Sequence, residues 1–305
     1  MSDQALDLQH VYGNTYCINF RRRGEQPVTV GVYKLSEKEI VLLDTGFSWT
    51  GEEIMRYMEA EGLSIAAIIH SHLHIDHVSG DAVIFSASKN RPVLYGPTRA
   101  VPEFRRHYTN EFVKSDADPF NNRDLRDYLD SLDILEQEMH STDGGASVTV
   151  GGKEFTLFDT VGHSQDHQSA ITPDGVLYLG DSVMYGSVLQ YARAPYCYNM
   201  LKDIETKREL AKMSFLACIA AHEGWFTGDM LPEVIERNLD ISRRILNKVA
   251  DLEESEPGKD VIEDTLRLID SIGLSKYRNT SWIVDTINEY FNYYYSNHTR
   301  KLPGD

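Results

Sequence analysis

The densest group of residues able to do chemistry is the segment 72–77, with the sequence HLHIDH. It places three imidazoles and one carboxylate within six residues, directly after an apolar run. Imidazole and carboxylate ligands together suit zinc, and also iron or manganese. Histidines two positions apart can point the same way from an extended loop, while Asp76 and His77 turn toward a neighbouring position. The segment therefore predicts a site that can serve two metal ions.

The apolar run 65–69 ends immediately before this histidine-rich loop and predicts a β-strand that fixes its start. Upstream, three β-rich runs separated by turn residues lie between residues 10 and 44. Apolar side chains at helical spacing predict a helix over 51–61. The alternation of strands and helices predicts an α/β sandwich.

A polar, partly helical stretch over about 101–145 separates these elements from three later β-type runs, at 147–150, 154–161 and 175–181. Connections of that size are often lids or substrate walls. We therefore predict one metal-binding domain over residues 1–228, with this stretch as an insertion.

Beyond residue 228 the pattern becomes helical. A long helix is predicted to begin at Pro232, because proline is favoured in the first turn and apolar residues follow on one stripe. Further helices are predicted near 260–272 and 280–296. Together these helices define a C-terminal helical appendage over 229–305.

The segment 70–77, HSHLHIDH, resembles the HxHxDH signature of the metallo-β-lactamase superfamily, and the resemblance continues over roughly residues 10 to 225. It implies the four-layer αββα sandwich of that superfamily and a dinuclear metal site. Three later positions match the family's order: Gly162-His163, Gly180-Asp181 and Ala221-His222. The implied ligands are His72, His74 and His163 at the first metal, Asp76, His77 and His222 at the second, and Asp181 bridging both.

Two divalent ions, with zinc expected and iron or manganese as alternatives, would give this site its reactivity. Two cations about 3.5–4 Å apart can deprotonate a shared water near neutral pH and polarise the electrophile. The bridging hydroxide would attack a carbonyl or phosphoryl centre, and Asp76 is predicted to orient it. Tyr185 is predicted to hold the substrate carbonyl, as a tyrosine does in some lactonases of the superfamily at a shorter offset.

Other polar residues near the motif are predicted to support the site. The resemblance makes Asp44 a supporting residue rather than a ligand. His70 is expected to pack against the strand ends, and His167 to contact a ligand. His107 and His140, in the insertion, are alternative acids for the leaving group.

The composition limits the class of partner. The formal net charge of −17 disfavours RNA or DNA, since nucleic-acid binding depends on neutralising phosphates. The polar, acidic start lacks the pattern of a signal peptide, and no apolar run approaches the roughly 20 residues that span a bilayer, which predicts a cytoplasmic protein away from membranes. Three widely spaced cysteines predict buried free thiols.

Two further resemblances bear on the substrate. The segment 162–169, GHSQDHQS, resembles acyl-homoserine-lactone lactonases. The layout with a helical appendage resembles glyoxalase-II-like thioesterases and the quinolone-signal response protein. We therefore predict a hydrolase of a small carboxylic ester, thioester or lactone, which could be a homodimer. The appendage would pack over the mouth of the site or mediate dimerisation.

Two alternatives to this hydrolase stay open. One is a phosphodiesterase or RNA nuclease of the same fold, against which the acidic charge counts. The other is a regulatory protein-binding module with residual hydrolase activity. An antibiotic-degrading β-lactamase is disfavoured, because Asp181 stands where such enzymes commonly have a cysteine. A flavin-linked oxygen reductase is disfavoured because His74 stands where glutamate is usual.

Overall fold

The computed structural model describes residues 6, 8–22, 27–114, 122–186, 189, 197–255 and 281–305. The helix predicted near 260–272 and residues 115–121 of the predicted insertion lie outside these ranges. The chain divides into two compact units. The first unit comprises Met1–Asp159, Asp166–Asp181 and Phe215–Asp229, and the second comprises Thr160–Gln165, Ser182–Ser214 and Met230–Asp305.

Two β-sheets form the framework of the first unit. The strands of the first sheet, which are hydrogen-bonded in chain order, are β1 (Leu8–Tyr12), β2 (Thr15–Phe20), β3 (Val28–Lys34), β4 (Glu39–Leu43), β5 (Ser64–Ile69), β6 (Val93–Gly96) and β7 (Met139–Ser141). Strands β1 to β4 pair antiparallel, and β4 to β7 pair parallel. Parallel neighbours need crossover connections, which here are helical.

These crossovers supply the helices of the first unit, which are α1 (Ser48–Glu61), α2 (Ile75–Val78), α3 (Gly80–Ala87), α4 (Val101–Lys114) and α5 (Asn122–Glu138). The region predicted as an insertion therefore contains the crossover between β6 and β7. Leu132 and Leu135 of α5 are fully buried in the core shared with the first sheet. Helix α5 is thus part of the layer that covers this sheet.

The second sheet has the order β13-β12-β11-β10-β9-β8. Its strands are β8 (Ala146–Val150), β9 (Lys153–Asp159), β10 (Gln168–Ile171), β11 (Val176–Tyr178), β12 (Ala217–Ala220) and β13 (Gly224–Thr227). Only β11 and β12 pair parallel among the described strands of this sheet.

Two apolar cores result from the alternation of side chains along the strands. On β4, Leu42 faces the core shared with α1, α3 and α5, whereas Leu43 faces the core between the two sheets. Phe155 and Tyr178 enter the same inter-sheet core from the second sheet. The predicted α/β sandwich fold is confirmed.

Backbones of the first unit approach closely where α1 meets α3. A Cβ added to Gly51 would lie 2.8 Å from the carbonyl oxygen of Gly80. This contact brings α1 against the start of α3, directly after the histidine-rich loop. Glycine at position 51 is therefore a packing requirement.

The second unit is helical in its described part. It contains α6 (Met200–Leu210), α7 (Leu231–Ser255) and α8 (Ser281–Asn297). Helix α7 begins one residue before the predicted Pro232, and α8 matches the helix predicted over 280–296. The Tyr290 hydroxyl of α8 donates a hydrogen bond of 2.9 Å to the Ser242 hydroxyl of α7, and both side chains are buried. No helix among the described residues is long and apolar enough to cross a membrane.

Candidate metal centre

The first unit places its predicted ligands just after the carboxyl ends of strands. His72 follows β5, Asp181 follows β11 and His222 follows β12. Because β11 and β12 are parallel, their ends meet, and the amide of Ala221 donates to the carbonyl of Gly180 at 3.1 Å. The sheets are joined at this edge by a hydrogen bond of 2.9 Å from the Gln168 amide to the Ser71 carbonyl.

Within the first unit, the predicted ligand atoms form two groups. Atoms of His72, His77 and Asp181 lie within 4.8 Å of one another, and so do atoms of Asp76, His77 and His222. The Nδ1 atom of His74 lies 2.9 Å from the Nε2 atom of His72. The fold therefore brings these six side chains to one place.

The seventh predicted ligand, His163, belongs to the second unit. It lies in the segment Thr160–Gln165, which connects β9 to Asp166, and its side chain is buried. Its role as a ligand stays a prediction.

The rings of His77 and His222 are oriented as metal-binding histidines are. The Nδ1 atom of His77 donates to Oδ2 of Asp44 at 2.7 Å, and that of His222 donates to the carbonyl of Pro27 at 2.6 Å. The Nε2 atom of His77 is buried, has no hydrogen-bond partner among the described residues, and lies 3.5 Å from Oδ1 of Asp181. Fixing one ring nitrogen through a carboxylate or a backbone carbonyl, so that the other nitrogen can bind an ion, is the usual arrangement of a metal-binding histidine. This donor set fits divalent cations such as zinc, iron or manganese.

The carboxylates change the protonation of these rings. Burial alone would lower the pKa of His77, but Asp181, Asp76 and Asp44 outweigh it and raise that pKa well above its usual value. The pKa of His222 is raised, since the charge of Asp181 outweighs burial. In contrast, burial lowers the pKa of His74 to about 4.

Asp44 supports the centre from beneath. It is buried at the end of β4 with a φ of 63°, and its carboxylate accepts hydrogen bonds from the Ser71 amide at 2.7 Å, the Ser71 hydroxyl at 2.6 Å and the Tyr178 hydroxyl at 2.8 Å. Burial would raise the pKa of Asp44, but the charges and hydrogen bonds of His77 and His70 hold it far below its usual value. Asp44 is therefore an ionised acceptor that orients His77.

His167 supports the centre from the second sheet. Its Nε2 atom accepts a hydrogen bond from the Asp181 amide at 2.9 Å, so this nitrogen is unavailable to a metal. Burial lowers the pKa of His167 to about 3, which keeps the ring a neutral acceptor. His70 contacts Oδ2 of Asp81 at 2.8 Å in the same buried layer.

Sequence reasoning missed several supporting side chains. Oδ2 of Asp166 accepts a hydrogen bond from the amide of Leu73 at 3.0 Å. It so fixes the histidine-rich loop over residues 72–77, which is called the ligand loop below because it carries four predicted ligands. Tyr128 donates to the carbonyl of Leu73 at 2.6 Å. The only sequence signal for Asp166 is its place between His163 and His167 in the segment 162–169.

Helix α4 brings aromatic side chains beside the ligand loop. The ring of Phe104 lies edge-on to His74 at 5.6 Å and stacks on Tyr108 at 6.4 Å. Both aromatic residues are half-buried. They form an apolar wall next to a predicted ligand, as expected for a helix that lines a substrate site.

The remaining predicted residues have the following places. Tyr185 lies in the second unit and is half-buried, and its catalytic role stays a prediction. His107 is exposed on α4, with its ring 4.9 Å from that of Tyr108. His140 is exposed on β7, with its ring 5.5 Å from that of Tyr95.

Comparison with known proteins identifies the family. The model of the metallo-beta-lactamase superfamily matches residues 23–262, and the chain belongs to this superfamily of metal-dependent hydrolases. A relative called hydroxyacylglutathione hydrolase from Prochlorococcus marinus is 22% identical over 189 residues, which is 61% of this chain and 61% of that protein. The chain thus spans about three-fifths of the length of this curated relative.

Two solved structures share the fold over nearly the whole chain. A metallo-beta-lactamase family protein from Thermus thermophilus covers 93% of this chain and 94% of its own, with a TM-score of 0.69 and 15% identity. A beta-lactamase domain protein from Burkholderia ambifaria covers 97% and 91%, with a TM-score of 0.71 and 15% identity. At this identity the similarity establishes the fold alone.

Proposed function

We propose that this chain hydrolyses a small carboxylic ester, thioester or lactone at a dinuclear metal site, and that an acyl thioester is the preferred substrate. The observation that carries the proposal is the group of buried His77, Asp181 and His222 with half-buried Asp76, in which the ring nitrogens face carboxylates. The choice of a thioester is supported by the relative called hydroxyacylglutathione hydrolase, whose name refers to an acyl derivative of glutathione.

The proposed ligands are those that the family resemblance implies, with two divalent ions, preferably zinc. The first ion would be held by His72, His74 and His163, the second by Asp76, His77 and His222, and Asp181 would bridge them. When bound, the two ions supply a water of lowered pKa and polarise the carbonyl of the substrate.

The protein's own groups would orient the reaction. The side chain of Asp76 is 17% exposed, against 6% for Asp181, so Asp76 is the carboxylate more open to the reacting water. We assign to Asp76 the acceptance of a hydrogen bond from that water. Tyr185 is proposed to donate a hydrogen bond to the substrate carbonyl oxygen, and Phe104 to contact the acyl group.

The acidic surface supports a small-molecule substrate over a nucleic acid. A net charge of −17 opposes the approach of a polyanion. The cytoplasmic location and the homodimer expected from the sequence belong to the same proposal.

Hydrolysis of a substrate panel by the metal-loaded protein tests the proposal. The panel contains an acyl thioester, an acyl lactone, a phosphodiester and a short RNA. We expect cleavage of the thioester, at least about 100-fold slower for His77→Ala, because that ring fixes the second ion. The matched control is His10→Ala, an exposed histidine on β1, which should keep full activity. Cleavage of the phosphodiester or RNA alone would overturn the proposal.

A further inference from the structure

The segment that carries His163 is held by its backbone inside the second unit. The Thr206 hydroxyl donates to the carbonyl of Val161 at 2.6 Å. The Asn199 amide donates to the carbonyl of Gly162 at 3.0 Å, and the Tyr198 amide donates to the carbonyl of His163 at 3.1 Å. Three consecutive carbonyls are therefore fixed by the two residues that precede α6 (Met200–Leu210) and by Thr206 in the middle of that helix.

Gly162 lets this segment contact the backbone of α6 directly. It has a φ of 147°, a conformation that residues with a side chain rarely adopt. A Cβ at this position would lie 2.3 Å from Cα and 2.5 Å from the amide nitrogen of Asp203. The backbone next to His163 is therefore packed against the first turn of the helix.

Helix α6 is in turn stabilised from within and from α8. Asp203 and Lys207 form a buried ion pair on one face of α6. The amide of Cys197 donates to the Thr286 hydroxyl at 3.0 Å, and the amide of Met200 donates to Oε2 of Glu289 at 3.3 Å. The C-terminal helix α8 therefore fixes both ends of the short stretch that leads into α6.

We propose that α6 and α8 position His163 for metal binding, with Thr206 and Thr286 as positioning residues. This inference rests on the proposed function, in which His163 is a metal ligand. A ligand ring works only within a narrow range of positions, and partners that orient ligands typically account for 10–100-fold in metal affinity. It gives α8, which belongs to the predicted appendage, the task of supporting α6 and the stretch before it, which hold the segment of His163.

The test is a titration of the metal-free protein with Co²⁺ in competition with a chelator, with the cobalt absorption spectrum recorded at each step. We expect Thr206→Val and Thr286→Val each to lower the affinity for one of the two ions about 10–100-fold and to alter the spectrum of that ion. The other ion should bind as in the unchanged protein. Thr206→Ser keeps the hydroxyl donor and should therefore have the metal affinity and the cobalt spectrum of the unchanged protein. Glu205→Ala, an exposed change on the same helix, is the matched control.

A His163→Ala variant, titrated in parallel, separates the two levels of the argument. If it binds both ions normally, His163 is not a ligand and the ligand set of the proposed function is wrong. If it loses one ion while both valine variants bind normally, the positioning inference is overturned and the proposed function stands. Equal weakening of both ions in the valine variants, with a lowered melting temperature, would indicate general loosening and would also overturn the inference.

Discussion

Single residues that are not predicted ligands orient the predicted ligands of this centre. Asp44 fixes His77, the carbonyl of Pro27 fixes His222, and His167 fixes the backbone of Asp181. Each contact occupies one hydrogen-bonding group, and another group of the same residue faces a neighbouring predicted ligand. A change at such a position alters the centre without removing a ligand atom.

Replacing Asp44 by asparagine should weaken metal binding. Oδ2 of Asp44 accepts hydrogen bonds from the Ser71 hydroxyl, the His77 ring and the Tyr178 hydroxyl, and an amide nitrogen can accept none of them. We expect the affinity for one ion to fall about 10–100-fold, measured by titration of the metal-free protein. Tyr178→Phe removes a single donor and should have a smaller effect. Unchanged affinity in a folded Asp44→Asn protein would contradict this role.

The loop over residues 72–77 could be singled out from the sequence because its four ligand-type side chains lie within six residues. Tyr178 and Asp166 could not, since their roles depend on chain segments far apart in sequence. Tyr178 occupies an ordinary strand position, and only folding brings its hydroxyl to Asp44. No spacing rule connects such residues before the sheets have formed.

At the scale of elements, long and regular patterns are predicted well, whereas three short strands are missed. Helix α7 carries its apolar stripe over many turns and was predicted to within a residue of its start. Strands β10, β12 and β13 have four residues each, too few to show an alternation. They were missed although β12 leads directly to His222.

The contact between α1 and α3 gives a prediction for elements. We expect Gly51→Ala to lower the free energy of unfolding by about 1–3 kcal/mol, because its methyl group would meet the Gly80 carbonyl at 2.8 Å. Urea unfolding followed by circular dichroism measures this. Glu59→Ala, exposed on the same helix, should stay within about 0.5 kcal/mol. Equal free energies of unfolding for the two variants would show that α1 and α3 can move apart without loss of stability.

For the whole molecule, we predict that acidic charge and metal binding are coupled. The chain has 47 acidic and 30 basic residues, and Asp76 and Asp181 approach the same point within the first unit. Cations bound there would relieve repulsion and would bind the folded state alone. Metal should therefore contribute to the stability of the fold.

Removal of metal should lower the melting temperature. With the free ion at about 100 times its dissociation constant, one site stabilises the native state by about 2.7 kcal/mol. Calorimetry of loaded and chelated protein, with metal loss verified by elemental analysis, measures the difference. His77→Ala should show a smaller difference than the unchanged chain. A melting temperature that stays the same after verified metal loss would contradict the predicted coupling.

The ligand loop after β5 also has a consequence for biosynthesis. A ribosome completes residues 72–77 well before it makes the strands that carry Asp181 and His222, so the growing chain offers a partial chelating site early. An ion captured at that stage meets only four side chains, none of which yet has its supporting partners from the second sheet. A cation bound to the finished protein would then be selected twice, first by the ligand-type side chains of the nascent loop and again by Asp181 and His222 once the second sheet has formed.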